Sequence, residues 1–406
     1  MPNDFLTTTL DLLARTAVIW APFVLFAVAW KKWVKFIHLE YVLTKIKWVL
    51  LEVRVPKEVN KSPLAMELVL ANAFYQTGGT GTWFARWWLG KVRNFFSLEI
   101  VSIEGRISFL IRAPEMFRKL IESQIYAQYP QAQISDAVDY TQMVPAYKKD
   151  NGWKIWGCEF VLTQHDAYPI KSYVDYGLDK AIGTLEEEQR IDPITSMLEF
   201  MGSLHKDEQV WFQIVIRAAT DRFDDPKKWL KKRGWKDESR DVINDLLKKY
   251  KGEKDKPAEK LMTKGMEENI KSMERHLNKL GFDCGIRAIY LAKNDVFDAA
   301  HIQGLLSSVK QYNSNELNGF KPFGDSVTDF DYPWQNFLGS LEEKKAELFN
   351  SYKLRSFFTP PYSRKPFVLS TEELATIYHF PGRVSETPSF ARIESKTAEP
   401  PTNLPI

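Results

Sequence analysis

The stretch "QTGGTGTW", Gln76 to Trp83, is where residue types first suggest chemistry. Three glycines, Gly78, Gly79 and Gly81, could turn backbone N–H groups toward a phosphate. A nucleotide-binding phosphate loop needs G-x-x-x-x-G-K-S/T, because the lysine reaches the phosphates and the hydroxyl holds magnesium. Here Thr82, Trp83 and Phe84 follow instead, and a helical pattern, not a strand, comes before. The stretch reads as a flexible loop, and no other window matches the motif. The histidines (His38, His165, His205, His276, His301, His379) are scattered, with no H-E-x-x-H and no cysteine–histidine cluster, so no metal site is expected. No G-x-S-x-G nucleophile signature occurs. The run "LEEEQ", Leu185 to Gln189, reads as a solvated helix face. The chain is therefore read as non-enzymatic and without a cofactor.

Two clusters combine aromatic and basic residues. In "TWFARWWLGKVRNFF", Trp83, Trp87 and Trp88 interleave with Arg86, Lys91 and Arg93. Aromatic bodies with basic tips suit a bilayer interface. They also suit single-stranded nucleic acid, where bases stack on rings, or simple packing on the chain's own core. The second cluster is "DPKKWLKKRGWK", with Lys227, Lys228, Lys231, Lys232 and Arg233. Its surroundings alternate in sign, as in a solvated helical hairpin, and contact with DNA phosphates or anionic lipid stays open.

These clusters sit in a chain of 406 residues, 44% hydrophobic, with a net charge of +3. That charge is too small to argue for nucleic acid by itself. Cys158 and Cys284 are far apart and read as reduced, buried residues of a cytoplasmic body. One segment breaks the soluble pattern. Thr16 to Trp30 carries no charge, and extended upstream through "LDLLAR" it reaches the roughly 20 residues of a spanning helix. Trp20, Trp30 and Trp33 suit the interfaces, and Lys31, Lys32 and Lys35 place the C-terminal side in the cytoplasm. A signal peptide would carry its basic residues before the apolar run, not after it. The expectation is a single-pass anchor in a bacterial cytoplasmic membrane, with the bilayer as partner. Phe36 to Leu50 reads as a helix along or below the inner surface.

The elements beyond the anchor predict an α+β fold: an N-terminal transmembrane helix followed by two ferredoxin-like (split βαβ) domains with a charged helical insertion. Residues 1–48 form the anchor and juxtamembrane helix. Residues 49–142 read β-α-β-β-α-β, with Ser62 capping the first helix and a hairpin at Glu104-Gly105. Residues 143–335 repeat the pattern around an insertion at 221–264, with helices capped at Asp192 and Asp295. Residues 336–406 add helices and a proline-rich tail. In "LSTEELATIYHFPG", Ser370 and Glu373 form a capping box. Leu374 and Tyr378 share a helix face, and Pro381-Gly382 end the helix. His379 reads as a packing residue.

That stretch and the following "TPSFARIESKTAEPPTNLP" resemble the segment before the motor domain in membrane-associated ATPases of the type IV secretion and conjugation class. The stretch "FSLEIVSIEGRISFLIRAPEMFRKLIESQIYAQYPQAQISDAVDY" resembles their N-terminal region, including "YAQYP" and Asp139-Tyr140. The family's ATPase motifs are absent here, so no catalytic residue carries over. The resemblance implies a membrane-anchored component of a DNA- or protein-translocation machine. A motor ATPase on a separate chain would dock at Leu369 to Ile406, with Leu374, Tyr378, His379 and Phe380 as contacts, since this chain ends where the motor would begin. The alternative is a membrane-tethered nucleic-acid-binding module. A homo-oligomer stays open in either case.

Overall fold

The computed structural model describes residues 2–56, 61–78, 81–148, 151–179, 192–220, 233–251, 263–329 and 340–382. Side chains are described for all of these except residues 2–14, 18, 19, 251 and 340. Helix α1 (Pro2–Glu40) passes through a π-helical turn, Tyr41–Lys45, into strand β1 (Trp48–Arg54). Helix α2 (Leu64–Val69) starts where Ser62 Oγ accepts from the Leu64 N–H and runs into a second π-helical turn, Leu70–Phe74. The short helix α3 (Trp83–Trp87) precedes the hairpin β2 (Phe96–Ile103) and β3 (Arg106–Pro114). That hairpin turns on Glu104 and Gly105, both with positive φ (53° and 81°), the geometry that matches strand twist. Helix α4 (Arg118–Gln128) and strand β4 (Gln133–Asp136) close the first unit.

The second unit comprises β5 (Trp153–Leu162), α5 (Ile194–Gly202), β6 (Glu208–Ala218), the insertion helices α6 (Trp235–Lys251) and α7 (Lys264–Leu277), β7 (Gly281–Lys293), α8 (Ala300–Lys310) and β8 (Phe320–Pro322). Helix α9 (Ser340–Leu354), the small hairpin β9 (Phe358–Thr359) and β10 (Tyr362–Ser363), strand β11 (Phe367–Ser370) and helix α10 (Thr371–Ile377) follow. One expected cap moves: Asp298, not Asp295, accepts from the Ala300 N–H at the start of α8 (2.8 Å).

The fold is mixed α+β around one large antiparallel sheet, ordered β4-β1-β3-β2-β6-β7-β5-β8. Counted from the sheet's outer edges, the first four strands and the next four each follow the order fourth-first-third-second. The units meet edge to edge where β2 pairs with β6, from Phe96 opposite Ile216 to Ile103 opposite Gln209. Strand β11 joins as the ninth strand, pairing with the start of β7, Phe367 opposite Cys284. Alternate side chains feed two faces. Leu98, Ile100, Phe212 and Ile214 join α2, α4, α5, α8 and α10 in one core cluster under both units. Val101, Trp211 and Ile289 meet Leu348, Phe349 and Tyr352 of α9 on the other face. Of the expected insertion at 221–264, residues 221–232 and 252–262 lie outside the described residues, and α6 packs on the following α7 through Ile243, Ile270 and Met273. Both cysteines are buried and free.

Candidate membrane-interface site

Helix α1 is 39 residues long, with Pro22 inside it. From Pro22 to Ala29 every side chain is exposed. Phe23 (73%), Leu25 (69%) and Phe26 (67%) carry most of that exposure. Neighbouring helical positions are about 100° apart, so this run is apolar and uncovered on all sides. An exposed apolar surface of this extent marks a membrane or protein contact. Among the described residues, however, no helix is long and apolar enough to cross a membrane. The physical reason is charge spacing. Arg15 and Lys31 confine the uncharged run to the 15 residues Thr16–Trp30, short of the roughly 20 that a hydrocarbon core asks for. Part of the expected span, residues 2–14, 18 and 19, also falls where side chains lie outside the described residues. The spanning helix of the sequence reading is thus found as a helix in the expected place, and its spanning is not supported.

The foot of α1 is fixed to the body. Trp48 Nε1 donates to Val42 O (3.0 Å), its ring lies 4.9 Å from Phe95, and Val42, Val92, Phe95, Val215 and Phe357 form a separate apolar cluster. Helix α3 lies against the same stretch. Thr82 caps it through the Ala85 N–H. Trp87 stacks on Trp30 at 6.5 Å, Trp88 lies 6.1 Å from Trp33, and His38 Nε2 sits 3.0 Å from Arg86 O. Gly90, at φ +69°, closes the contact, since a Cβ there would lie 2.3 Å from Ile37 O. Sequence reasoning singled out Trp30, Trp33, Trp83, Trp87 and Trp88 separately. The structure joins Trp30 to Trp87 and Trp33 to Trp88 in one aromatic collar, with Trp83 exposed at the start of α3, and the missed link is the backbone clamp through His38 and Gly90.

The residues around the collar divide. Trp83 (66%), Phe84 (52%), Trp88 (53%) and Leu89 (57%) stay exposed, which sets aside the packing-only reading for this segment. The Arg86 guanidinium lies over Trp87 at 5.2 Å, and Lys91 is exposed. Arg93 is turned inward: it donates to Ala218 O and lies 3.8 Å from the buried Asp283 carboxylate. Arg233 pairs with Asp241. Lys227, Lys228, Lys231 and Lys232 lie outside the described residues. The two basic clusters are therefore not shown as one surface.

The four expected docking contacts are corrected. Every residue of α10 is buried, and Leu374, Tyr378, His379 and Phe380 are each 0–1% exposed. Tyr378 OH donates to Leu110 O (3.2 Å), Phe380 packs edge-on to Tyr129 (5.1 Å), and His379 Nε2 lies 3.1 Å from Asp192. These side chains are spent on this chain's own core and present nothing to a partner. The capping box of Ser370 and Glu373 is present as expected. Residues 383–406 lie outside the described residues.

The family model described as a domain of unknown function, DUF8128, matches residues 39–392. The match covers most of the chain, and the chain belongs to that family. It begins at the foot of α1 and takes in the whole sheet. A search of curated proteins finds no match.

Proposed function

We propose that the chain is a non-enzymatic, membrane-anchored module: α1 enters a bacterial cytoplasmic membrane, and two fused ferredoxin-like units lie on its cytoplasmic side. The observation that carries this reading is the collar, in which Trp30 and Trp33 of α1 meet Trp87 and Trp88 of α3 at the lower end of the uncharged run, with Trp33, Trp83, Phe84 and Trp88 exposed. Tryptophans at that level and lysines 31, 32 and 35 beyond it fit an interface with the body inside. The short uncharged run is accommodated if Arg15 and the lysines snorkel and the bilayer thins locally, at fractions of a kcal/mol per Å.

The test is alkaline carbonate extraction of membranes from cells making the full chain. The chain is expected in the pellet. Leu25→Arg with Val28→Arg, each costing about 2.5–3.5 kcal/mol at mid-helix, is expected to move it to the supernatant. A parent chain that carbonate releases would end the anchor reading.

Within that reading, the resemblance to type IV secretion ATPases supports a role in a translocation machine beside a motor ATPase on another chain. With α10 in the core, the motor's contact falls to the tail after Gly382 or to the body surface. Truncation after Gly382 is expected to leave the fold intact and to abolish co-purification with the P-loop ATPase. Retained co-purification would remove the tail from that role. For the nucleic-acid alternative, Arg93 and Arg233 already face acids of this chain, and no described contact favours it.

A further inference from the structure

We propose that a cavity at the foot of α1 binds a phosphate group. The cavity is about 480 Å³ and lies between the α1–β1 connection, the segment after α3 and the end of β3. Its charged lining is Lys45, Lys47 and Lys91 against one carboxylate, Glu115. All three lysines are exposed, and among the described residues none is held in an ion pair. Like charges gathered without a counter-ion repel one another, and an anion between them removes that cost. The wall is held in place: the Glu115 N–H donates to Lys47 O (2.8 Å), and Lys91 N–H donates to Ala85 O (2.9 Å), which ties it to α3.

Gly78 and Asn94 complete the polar lining. A Cβ on Gly78 would lie 3.5 Å from Asn94 Nδ2, so the two stand side by side on the wall. Gly78, from the stretch that fails as a nucleotide loop, thus lines a basic cavity whose ammonium groups come from outside that motif. Three ammoniums and a side-chain amide suit a phosphate monoester or diester, whose oxygens accept from these four groups, while the Glu115 carboxylate opposes the anion. That chemistry is shared by an anionic phospholipid headgroup and a free phosphate.

The experiment is calorimetric titration of the full chain in dodecyl maltoside at low salt, with three probes. These are inorganic phosphate, dihexanoyl phosphatidylglycerol, and dihexanoyl phosphatidylcholine as the zwitterionic control. Saturable binding of at least one anionic probe is expected. It should weaken about tenfold or more in the combined Lys45→Gln, Lys47→Gln, Lys91→Gln variant. Glu115→Gln, which removes the single opposing charge, should tighten it several-fold. Binding of phosphate itself assigns a soluble ligand; binding of phosphatidylglycerol without phosphate assigns the headgroup. No saturable binding of either anion, equal binding of the zwitterionic lipid, or a triple variant that binds like the parent overturns the proposal. Circular dichroism checks that the variants, all at exposed positions, keep the fold.

Discussion

Replacing Arg355 by methionine is expected to cost the fold about 3–5 kcal/mol, because it strands a buried carboxylate. Arg355 follows α9 with φ +52°, a left-handed conformation that a non-glycine residue adopts at a cost of roughly 1–2 kcal/mol. Its side chain is fully buried and forks onto two acids. Nε and Nη2 donate to Glu99 at 2.9 and 3.1 Å, and Nη1 and Nη2 donate to Asp139 at 2.7 and 3.0 Å. Glu99 sits mid-strand in β2 with no exposure and also accepts from Ser97 Oγ (2.6 Å), Tyr140 OH (2.8 Å) and Gln213 Nε2 (3.2 Å). Burial alone would raise the Glu99 carboxyl. The Arg355 charge and these donors overcome that and hold it below the usual carboxylate range. Without the guanidinium, Glu99 must be buried unpaired or take up a proton. Urea unfolding of the full chain in detergent reads the loss. Arg355→Lys should recover little, since an ammonium cannot fork onto two carboxylates. Arg355→Met with Glu99→Gln should recover much of it, because the stranded charge is gone. A single Arg355→Met variant as stable as the parent would show that the network carries no such weight.

That network explains why some of the fold was legible and some was not. The strands, the Glu104-Gly105 turn and the Ser370–Glu373 capping box are local, so spacing alone places them. The joining of the two units is not local. It needs Phe96–Ile103 and Glu208–Ala218 to be buried on both faces, and both read as ordinary strands in isolation. The polar network is non-local in the same way: the cation that neutralises Glu99 lies 256 residues away. Asp139 and Tyr140 were noticed only through a resemblance; in the structure they bind the Arg355 network. Tyr129 of "YAQYP" meets Phe380 of the C-terminal stretch in the same way. The described part of the C-terminal segment, Leu369–Gly382, therefore packs against the earlier one, and α10, which reads as a connector in sequence, is core in space. At the collar, the aromatic types were legible because tryptophan beside lysine is a strong interfacial signal. The contact of α3 with α1 was not, because it runs through Arg86 O and the missing side chain of Gly90.

The buried acids of α10 make the second large effect, and it depends on pH. Glu373 is 1% exposed and accepts from the Ser370 N–H (2.7 Å), Ser370 Oγ (2.9 Å) and the Ile170 N–H (2.9 Å). His276 of α7, also buried, places Nδ1 2.8 Å from Glu373 Oε2. The imidazole makes no aligned hydrogen bond, so the contact is an ion pair by proximity. Around it stand Glu372, with Ser172, Arg275 and Lys279, and Glu67, with Lys279 and Tyr173. Burial opposes charge on His276, but Glu373 beside it outweighs that and raises the imidazole above its ordinary 6.5. Burial likewise opposes charge on Glu373, and His276 with the N–H donors lowers it below 4.5. The signs then fix the window. A raised imidazole stabilises the fold below pH 6.5, and the gain disappears as pH rises through the folded value. A lowered carboxyl stabilises above pH 4.5, and that gain disappears as pH falls through its folded value. The pair works from about 4.5 to somewhat above 6.5. Glu373→Gln keeps the volume and one acceptor but removes the charge. It is expected to cost about 3–5 kcal/mol at pH 6, and visibly less once the pH has risen through the folded imidazole's raised value, where the parent has itself lost the imidazolium. His379 beside Asp192 is raised too, and Glu372 is raised by burial. Both are present in parent and variant, so the difference between their urea midpoints isolates the pair. Midpoints that stay equally far apart from pH 6 up to the alkaline limit of the fold would mean that Glu373 acts only as the acceptor for Ser370 and Ile170.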